Sequence, residues 1–301
     1  MDLTKILDPI TKREFFTNYW NQKPLVVKGS GHKFDDLPPK SALPKMSSGS
    51  LDDNYWSETS NLTAHASTVN GNGKLVQLNN VPISMYAQLY NSGYSLCFND
   101  VSYADERFRE LVEDTQSLSD LRASVSVTCY LSPPNSNGVL HFDHQHVFFM
   151  QREGAKYWRV SENPAIKNPV ENFLYPNADQ EYLDEMELKG YAISVPSQCG
   201  FQDIKLETGD LLYMPPGFYH APHTQESNSF HYTLTLDTVS FWNMLMSSMR
   251  LELLKNCSSF NDDVRVLGQA DRKRFFERQL EKIKTEINSM TVEDIEKAYQ
   301  S

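Results

Sequence analysis

The sequence predicts a mainly β chain with flanking helices, in which short strands build a sandwich or barrel and a helical segment follows at the C-terminal end. Two patterns carry that expectation. From Ser124 onward, SVSVTCYLS, HVFFMQ, AKYWRVSE, DIKLETGDLLYM and SFHYTLTLDTV succeed one another with Gly, Pro and Asn between them. Short alternating runs at regular spacing are the signature of all-β packing. After Val239 the period changes to that of a helix, with Trp242, Leu245, Met246, Met249 and Leu253 on one stripe and Phe276, Leu280, Ile283 and Ile287 on another.

The remaining elements follow in order. In TKREFFTNYWNQ, Phe15, Phe16, Tyr19 and Trp20 fall at helical spacing, and KPLVVKG after it reads as a strand. From Gly29 to about Gly73 the chain is rich in Ser, Asn, Gly, Pro and Asp, which predicts a long irregular segment. Pro82 to Asn91 reads as a helix with proline at the tolerated opening position, and Ala104 to Leu118 as a helix with a charged face. Thr291 to Asp294 opens a last short helix. The expected organisation is an N-terminal helix and strand region over residues 1–100 packing on the barrel, a β core over 101–240, and helices over 241–301.

Composition narrows the class. A chain of 301 residues, 40% of them apolar, has ample material for a large core. No apolar run reaches the length of a membrane span, and the opening MDLTKILDPITKREFF lacks a secretory pattern. Cys97, Cys129, Cys199 and Cys257 stand far apart with no CxxC, against a zinc ribbon or disulfide framework. A reducing, cytoplasmic setting is expected, which also argues against use of the glycosylation triplet at Asn61. The net charge of −11 is wrong for a general nucleic-acid binder and suits a basic partner.

The chemistry concentrates in HFDHQH, residues 141 to 146. Alternate residues of a strand share a face, so His141, Asp143 and Gln145 point one way and Phe142, His144 and His146 the other. An HxD pair offers one imidazole and one carboxylate to a single ion. A second imidazole would complete the two-histidine, one-carboxylate facial triad of non-haem Fe(II) oxygenases, which leaves positions open for co-substrate and O₂. Between Gly209 and His220 the chain reads G, five residues, P, one residue, G, two residues, H. That is the second motif of cupin barrels: strand, Pro-Gly turn, strand, with His220 just after the turn. His223 has the opposite parity. For His144, His146 and His223 an ordinary packing role is the expectation, and His231 stands evenly between packing and function. Lys156 in GAKYW would be unfavourable inside a barrel without an anion, and beside an iron triad the natural anion is the distal carboxylate of 2-oxoglutarate.

The chain resembles the Jumonji-C proteins of the cupin-4 type and is similar to the ribosomal oxygenases. FFTNYWNQKPLVVKG, GYSLCFNDV, CYLSPPNSNGVLHFDHQHVFFMQREGAKYWRV, ETGDLLYMPPGFYHAPHT and SFHYTLTL carry the resemblance, over roughly residues 11 to 245. It implies a double-stranded β-helix (jelly-roll) core and Fe(II)- and 2-oxoglutarate-dependent hydroxylation with O₂. It makes His141, Asp143 and His220 the metal ligands, Lys156 the 2-oxoglutarate carboxylate binder, and Tyr130 and Thr233 further co-substrate contacts. The implied substrate is an amino-acid side chain of a protein or peptide, with demethylation of methyl-lysine or hydroxylation of a small metabolite as alternatives. A non-catalytic cupin is a further reading, disfavoured because all three ligands are present. Thr224 and Asn228 do not complete the older cupin motif, which disfavours an isomerase-type site. The resemblance also implies a helical dimerisation segment. The two C-terminal stripes fit one, and fit equally well helices that pack on their own barrel. About sixty residues after the barrel leave no room for a full winged helix.

Overall fold

A computed structural model of the chain describes residues 1–42, 64–103, 105–118, 123–175, 180–188, 190, 192–237, 239–256 and 262–300. Asn61, Cys257 and most of the polar stretch after Ala42 lie outside them. The chain divides into two units, residues 1–117 with 124–237 and residues 118–123 with 238–301.

The first unit opens with α1 (Leu3–Leu7) and α2 (Lys12–Asn18), capped by Asp2 and Thr11, whose side chains accept from the Lys5 and Glu14 amides. Their strands are β1 (Leu25–Val27), β2 (Ala64–Val69), β3 (Leu75–Leu78), β4 (Ser95–Phe98), β5 (Val125–Ser132), β6 (His141–Phe142), β7 (His146–Ser161), β8 (Phe173–Leu174), β9 (Phe201–Glu207), β10 (Leu211–Met214), β11 (His220–His223) and β12 (Ser229–Leu236). Helices α3 (Tyr86–Asn91), α4 (Glu106–Gln116) and α5 (Gln180–Leu188) flank them. All pairings are antiparallel, in the order β3-β2-β4-β5-β12-β7-β11-β6-β8, with β10 and β9 also on β7 and β1 on β10. This is the curled half-barrel that the strand pattern and the cupin motif led us to expect.

Strand β7 makes the curl. Residues 147–151 pair with β10 and β12, and 155–161 pair with β9 and β11. Between them the register slips: Phe230 faces Glu153 but His231 faces Gln151, leaving Arg152 as the extra residue of a bulge. Gly154 follows with φ +71°, and a Cβ there would meet the Asn228 carbonyl oxygen at 2.1 Å. HVFFMQ and AKYWRVSE are therefore one bent strand, not two. An extra residue also inverts parity. Val147 and Phe149 line the interior on odd numbers, Lys156 and Trp158 on even ones.

Two further expectations change. The stretch after Gly29 is not irregular throughout, since Ala64–Val69 pairs with both β3 and β4; its small residues carry little hydrophobic alternation. The HxD strand also ends early. Only His141 and Phe142 pair, and residues 143–145 bend away before β7. The alternation survives the bend: Phe142 packs with Phe173 and Tyr219 in a buried cluster, while His141, Asp143 and Gln145 line the cavity.

Aromatic residues of the N-terminal segment cover the outer side. Phe15 is fully buried and meets Tyr213 edge-on at 4.7 Å. Trp20, just past α2, stacks on His146 at 3.6 Å, and His146 bonds the Tyr213 hydroxyl at 2.9 Å. His146 is thus a packing histidine.

The second unit holds α6 (Phe241–Asn256), α7 (Gln269–Ser289) and α8 (Val292–Gln300). Thr291 and Asp294 cap α8 reciprocally, the Thr291 amide donating to Asp294 Oδ2 and the Asp294 amide to Thr291 Oγ1. Ser248 of α6 donates to the Asp294 carbonyl. Phe241, Trp242 and Met246 on α6 and Phe276, Leu280 and Ile287 on α7 stay exposed.

Candidate active site

The two halves of the sequence motif meet because β11 pairs with β6 at a single register position, His220 opposite His141. The Pro215–Tyr219 turn delivers His220 there. Gly217 holds φ +78° in that turn, and its amide donates to the Asp143 carbonyl at 2.9 Å. One backbone bond therefore ties the carboxylate-bearing bend to the histidine-bearing turn.

The three side chains converge. His141, Asp143 and His220 each offer one ligand atom, and these atoms all lie within 4.8 Å of one another. His220 Nε2 is 3.4 Å from Asp143 Oδ2, and the two imidazole centroids are 4.1 Å apart. Adjacent ligands at ~2.0–2.2 Å from one ion stand roughly 3 Å apart, so the spacing is near that of a loaded site. The protonation states also suit a cation. His141 Nδ1 lies 2.9 Å from the Val139 carbonyl and His220 Nδ1 lies 3.1 Å from that of Phe218. A carbonyl only accepts, which puts each proton on Nδ1 and leaves the Nε2 lone pairs for a metal. Burial, helped by the neighbouring His220, pushes His141 down to about 4. Burial alone would raise Asp143, but His220, 3.4 Å away, and His141 beside it bring it down to about 2. Two imidazoles and one carboxylate fit a divalent ion such as Fe(II), and the set has an open side on the cavity.

That cavity has a volume of about 290 Å³. Three strands line it in register. Thr235, Ser126 and Val147 form one layer, Thr233, Thr128 and Phe149 the next, and His231 and Tyr130 a third. Lys156 lies in the same cavity, 5% exposed, its Nζ donating to Ser132 Oγ at 3.1 Å. Among the described residues no carboxylate pairs with it. Burial pushes it down to about 7. Its ammonium sits 5.8 Å from the Tyr130 ring centroid and 5.5 Å from that of Trp158.

The structure thus gathers every residue the sequence singled out: His141, Asp143, His220, Lys156, Tyr130 and Thr233 line one cavity. His144 bonds Asn172 at the surface, and His223 stacks on Tyr157 outside the cavity. His231, evenly balanced from sequence, is inside, stacked on Tyr130 at 5.0 Å with 4° between the planes. Trp158, Thr128, Ser126, Gln145 and Asn172 line the site without having been singled out. The polar positions of SVSVTCY and SFHYTLT, spaced by two, were the available signal.

Comparison with known proteins agrees with this fold. Residues 104–244 match the family model of the JmjC domain. The bifunctional lysine-specific demethylase and histidyl-hydroxylase NO66 of Drosophila grimshawi is 28% identical over 271 residues, which are 87% of this chain and 34% of that protein. The ribosomal protein uL16 3-hydroxylase of Escherichia coli is 27% identical over 73% of this chain and 51% of its own. The chain spans only a third to a half of these relatives. The structure of the E. coli ribosomal oxygenase YcfD in complex with cobalt and 2-oxoglutarate superposes with a TM-score of 0.58 at 20% identity, covering 95% of this chain and 68% of that one.

Proposed function

We propose that this chain, whose residues 104–244 match the JmjC domain family, is an Fe(II)- and 2-oxoglutarate-dependent dioxygenase that hydroxylates a C–H bond on an amino-acid side chain of a protein or peptide. The observation that carries the reading is the convergence of His141, Asp143 and His220 in one cavity with a buried lysine that has no carboxylate partner among the described residues. When bound, the metal with 2-oxoglutarate and O₂ supplies the oxidising chemistry: the co-substrate leaves as succinate and CO₂, and the second oxygen atom goes to the C–H bond.

The chain's own residues supply geometry. The triad holds the ion from one side and leaves the cavity side for co-substrate. Lys156 binds the distal carboxylate, with Tyr130 and Thr233 beside it, at an end of the cavity where Lys156 and Thr233 are buried. NO66-type relatives are named for both demethylation and histidyl hydroxylation, and the lining favours the second. Two of the aromatic rings that line the cavity, Tyr130 and Trp158, already face the Lys156 ammonium and so are taken up at the co-substrate end. Asp143 is committed to the metal. Ser126, Thr128, Gln145 and Asn172 instead offer hydroxyls and amides, which suit a neutral side chain such as histidine. The net charge of −11 suits a basic polypeptide around that side chain rather than direct nucleic-acid binding, as on a ribosomal protein in the cytoplasm. The exposed apolar residues of α6 and α7 support self-association of the chain.

With Fe(II), 2-oxoglutarate and a histidine-containing basic peptide, the chain is expected to release one succinate per oxygen atom gained by the peptide, read by mass spectrometry. A trimethyl-lysine peptide is expected to stay unchanged. Formaldehyde release from it would shift the reading to demethylation.

Lys156 also sets a pH dependence. It is charged below about 7 in the free protein, and a carboxylate binds the charged form. Affinity for 2-oxoglutarate is therefore level below that pH and falls as pH rises through it, because binding must then take up a proton. Between pH 6.5 and 8.5 the Kd is expected to rise roughly 25-fold by calorimetry. His141 and Asp143 titrate well below this window. A level profile would show that Lys156 keeps its proton or does not meet the ligand.

A further inference from the structure

Lys156 does not stand alone at its end of the cavity. Trp158 is 2% exposed and its indole nitrogen has no hydrogen-bond partner among the described residues. His231 is 1% exposed, and its Nδ1 is likewise without one. Both residues line the cavity. Their rings meet edge-on at 5.9 Å, and the Lys156 ammonium is 5.5 Å from the Trp158 centroid. Buried polar atoms are nearly always bonded, and an indole N–H can only donate. Two such atoms on rings beside an ammonium that has no carboxylate partner among the described residues, and that donates to the Ser132 hydroxyl, describe a recess built for an acceptor with several lone pairs.

We infer that Trp158 and His231 complete a carboxylate-binding recess around Lys156, the Trp158 indole N–H and His231 Nδ1 donating to the distal carboxylate of a 2-oxo dicarboxylate. This rests on the co-substrate reading above and assigns to it two residues that neither the motif nor the resemblance marks. The bulge at Arg152 is what brings Trp158 to this face with Lys156. Tyr130, stacked flat on His231, holds that imidazole's plane. The role is recognition of the end of the ligand remote from the metal, so it sets which 2-oxo acid is accepted.

The test is calorimetry on the full chain loaded with Mn(II), which binds without turnover, using 2-oxoglutarate and 2-oxopentanoate, which lacks the distal carboxylate. Trp158→Phe and His231→Leu are each expected to weaken 2-oxoglutarate about tenfold or more and to leave 2-oxopentanoate within about twofold. His231→Asn, whose amide can donate from near the Nδ1 position, is expected to recover most of the loss. Equal weakening of both ligands would mean that the two residues act through the fold or the metal, and unchanged 2-oxoglutarate affinity would mean that they do not touch it. Either result overturns the inference. If the wild type binds 2-oxoglutarate no better than 2-oxopentanoate, the recess is wrong while the metal site stands. If the wild type binds neither, the co-substrate reading itself fails.

Discussion

Asp143→Ala is expected to abolish succinate formation and to weaken metal binding by well over about a hundredfold. The lower bound follows from physical precedent, since removing a group that merely orients a metal ligand costs 10–100-fold, and Asp143 is the only anion in the donor set. Without it, two neutral imidazoles would have to hold a divalent charge in a buried site, with the Lys156 ammonium in the same cavity. The loss is local. The Asp143 carbonyl, not its side chain, accepts from Gly217, so the variant keeps the bond that joins bend to turn. The metal-free variant is therefore expected to keep the fold, read as a single cooperative thermal transition. Retained turnover at more than a tenth of the wild-type rate would remove Asp143 from the metal.

Lys156→Ala is expected to raise the KM for 2-oxoglutarate by roughly a hundred- to a thousandfold. Breaking a buried charge pair on one side costs about 3–5 kcal/mol, and ~1.4 kcal/mol is a factor of ten. Here the partner left behind is a ligand carboxylate that can stay in water, so the lower half of that range is the better guide. The same change has an opposite effect on the free protein. A lysine held at about 7 against an ordinary value of 10.5 is destabilising when charged in the fold, and that penalty is present in full below about pH 7 and fades as pH rises toward 10.5. Lys156→Ala is thus expected to unfold at a higher temperature than the wild type at pH 6 in the absence of ligand. His223→Ala, outside the cavity, is the control for both variants and is expected to leave KM unchanged. A KM unmoved by Lys156→Ala would contradict the assignment of the lysine to the co-substrate.

The metal triad was legible because three independent signals coincide on it: an HxD pair at strand spacing, a Pro-Gly turn of fixed length before His220, and opposite parity for His223. Each is local in sequence. The placement of Lys156 was not legible in that way. Counting by twos from Phe149 sends Lys156 to the outer face, and only the extra residue at Arg152 turns it inward. A bulge depends on the partner strand, here the pairing with Phe230 and His231, and no local pattern in HVFFMQREGAKYW announces it; the resemblance supplied the answer that periodicity could not. Strand β2 was missed for a different reason. AHASTV buries two alanines against β4, and so small a burial leaves no hydrophobic signal. Trp158 reads from sequence as an ordinary strand residue, and His231 as evenly balanced between packing and function. Their significance lies in polar atoms left without partners, which is visible only when the neighbours are known.

Titration of the metal-free chain with Fe(II) under anaerobic conditions tests the central assignment most directly. One ion is expected to bind per chain, and addition of 2-oxoglutarate is expected to produce the visible charge-transfer absorption of a chelated 2-oxo acid, lost in His141→Ala, Asp143→Ala and His220→Ala alike. Failure of the wild type to retain iron, or an undiminished absorption after removal of any one of those three side chains, would contradict it.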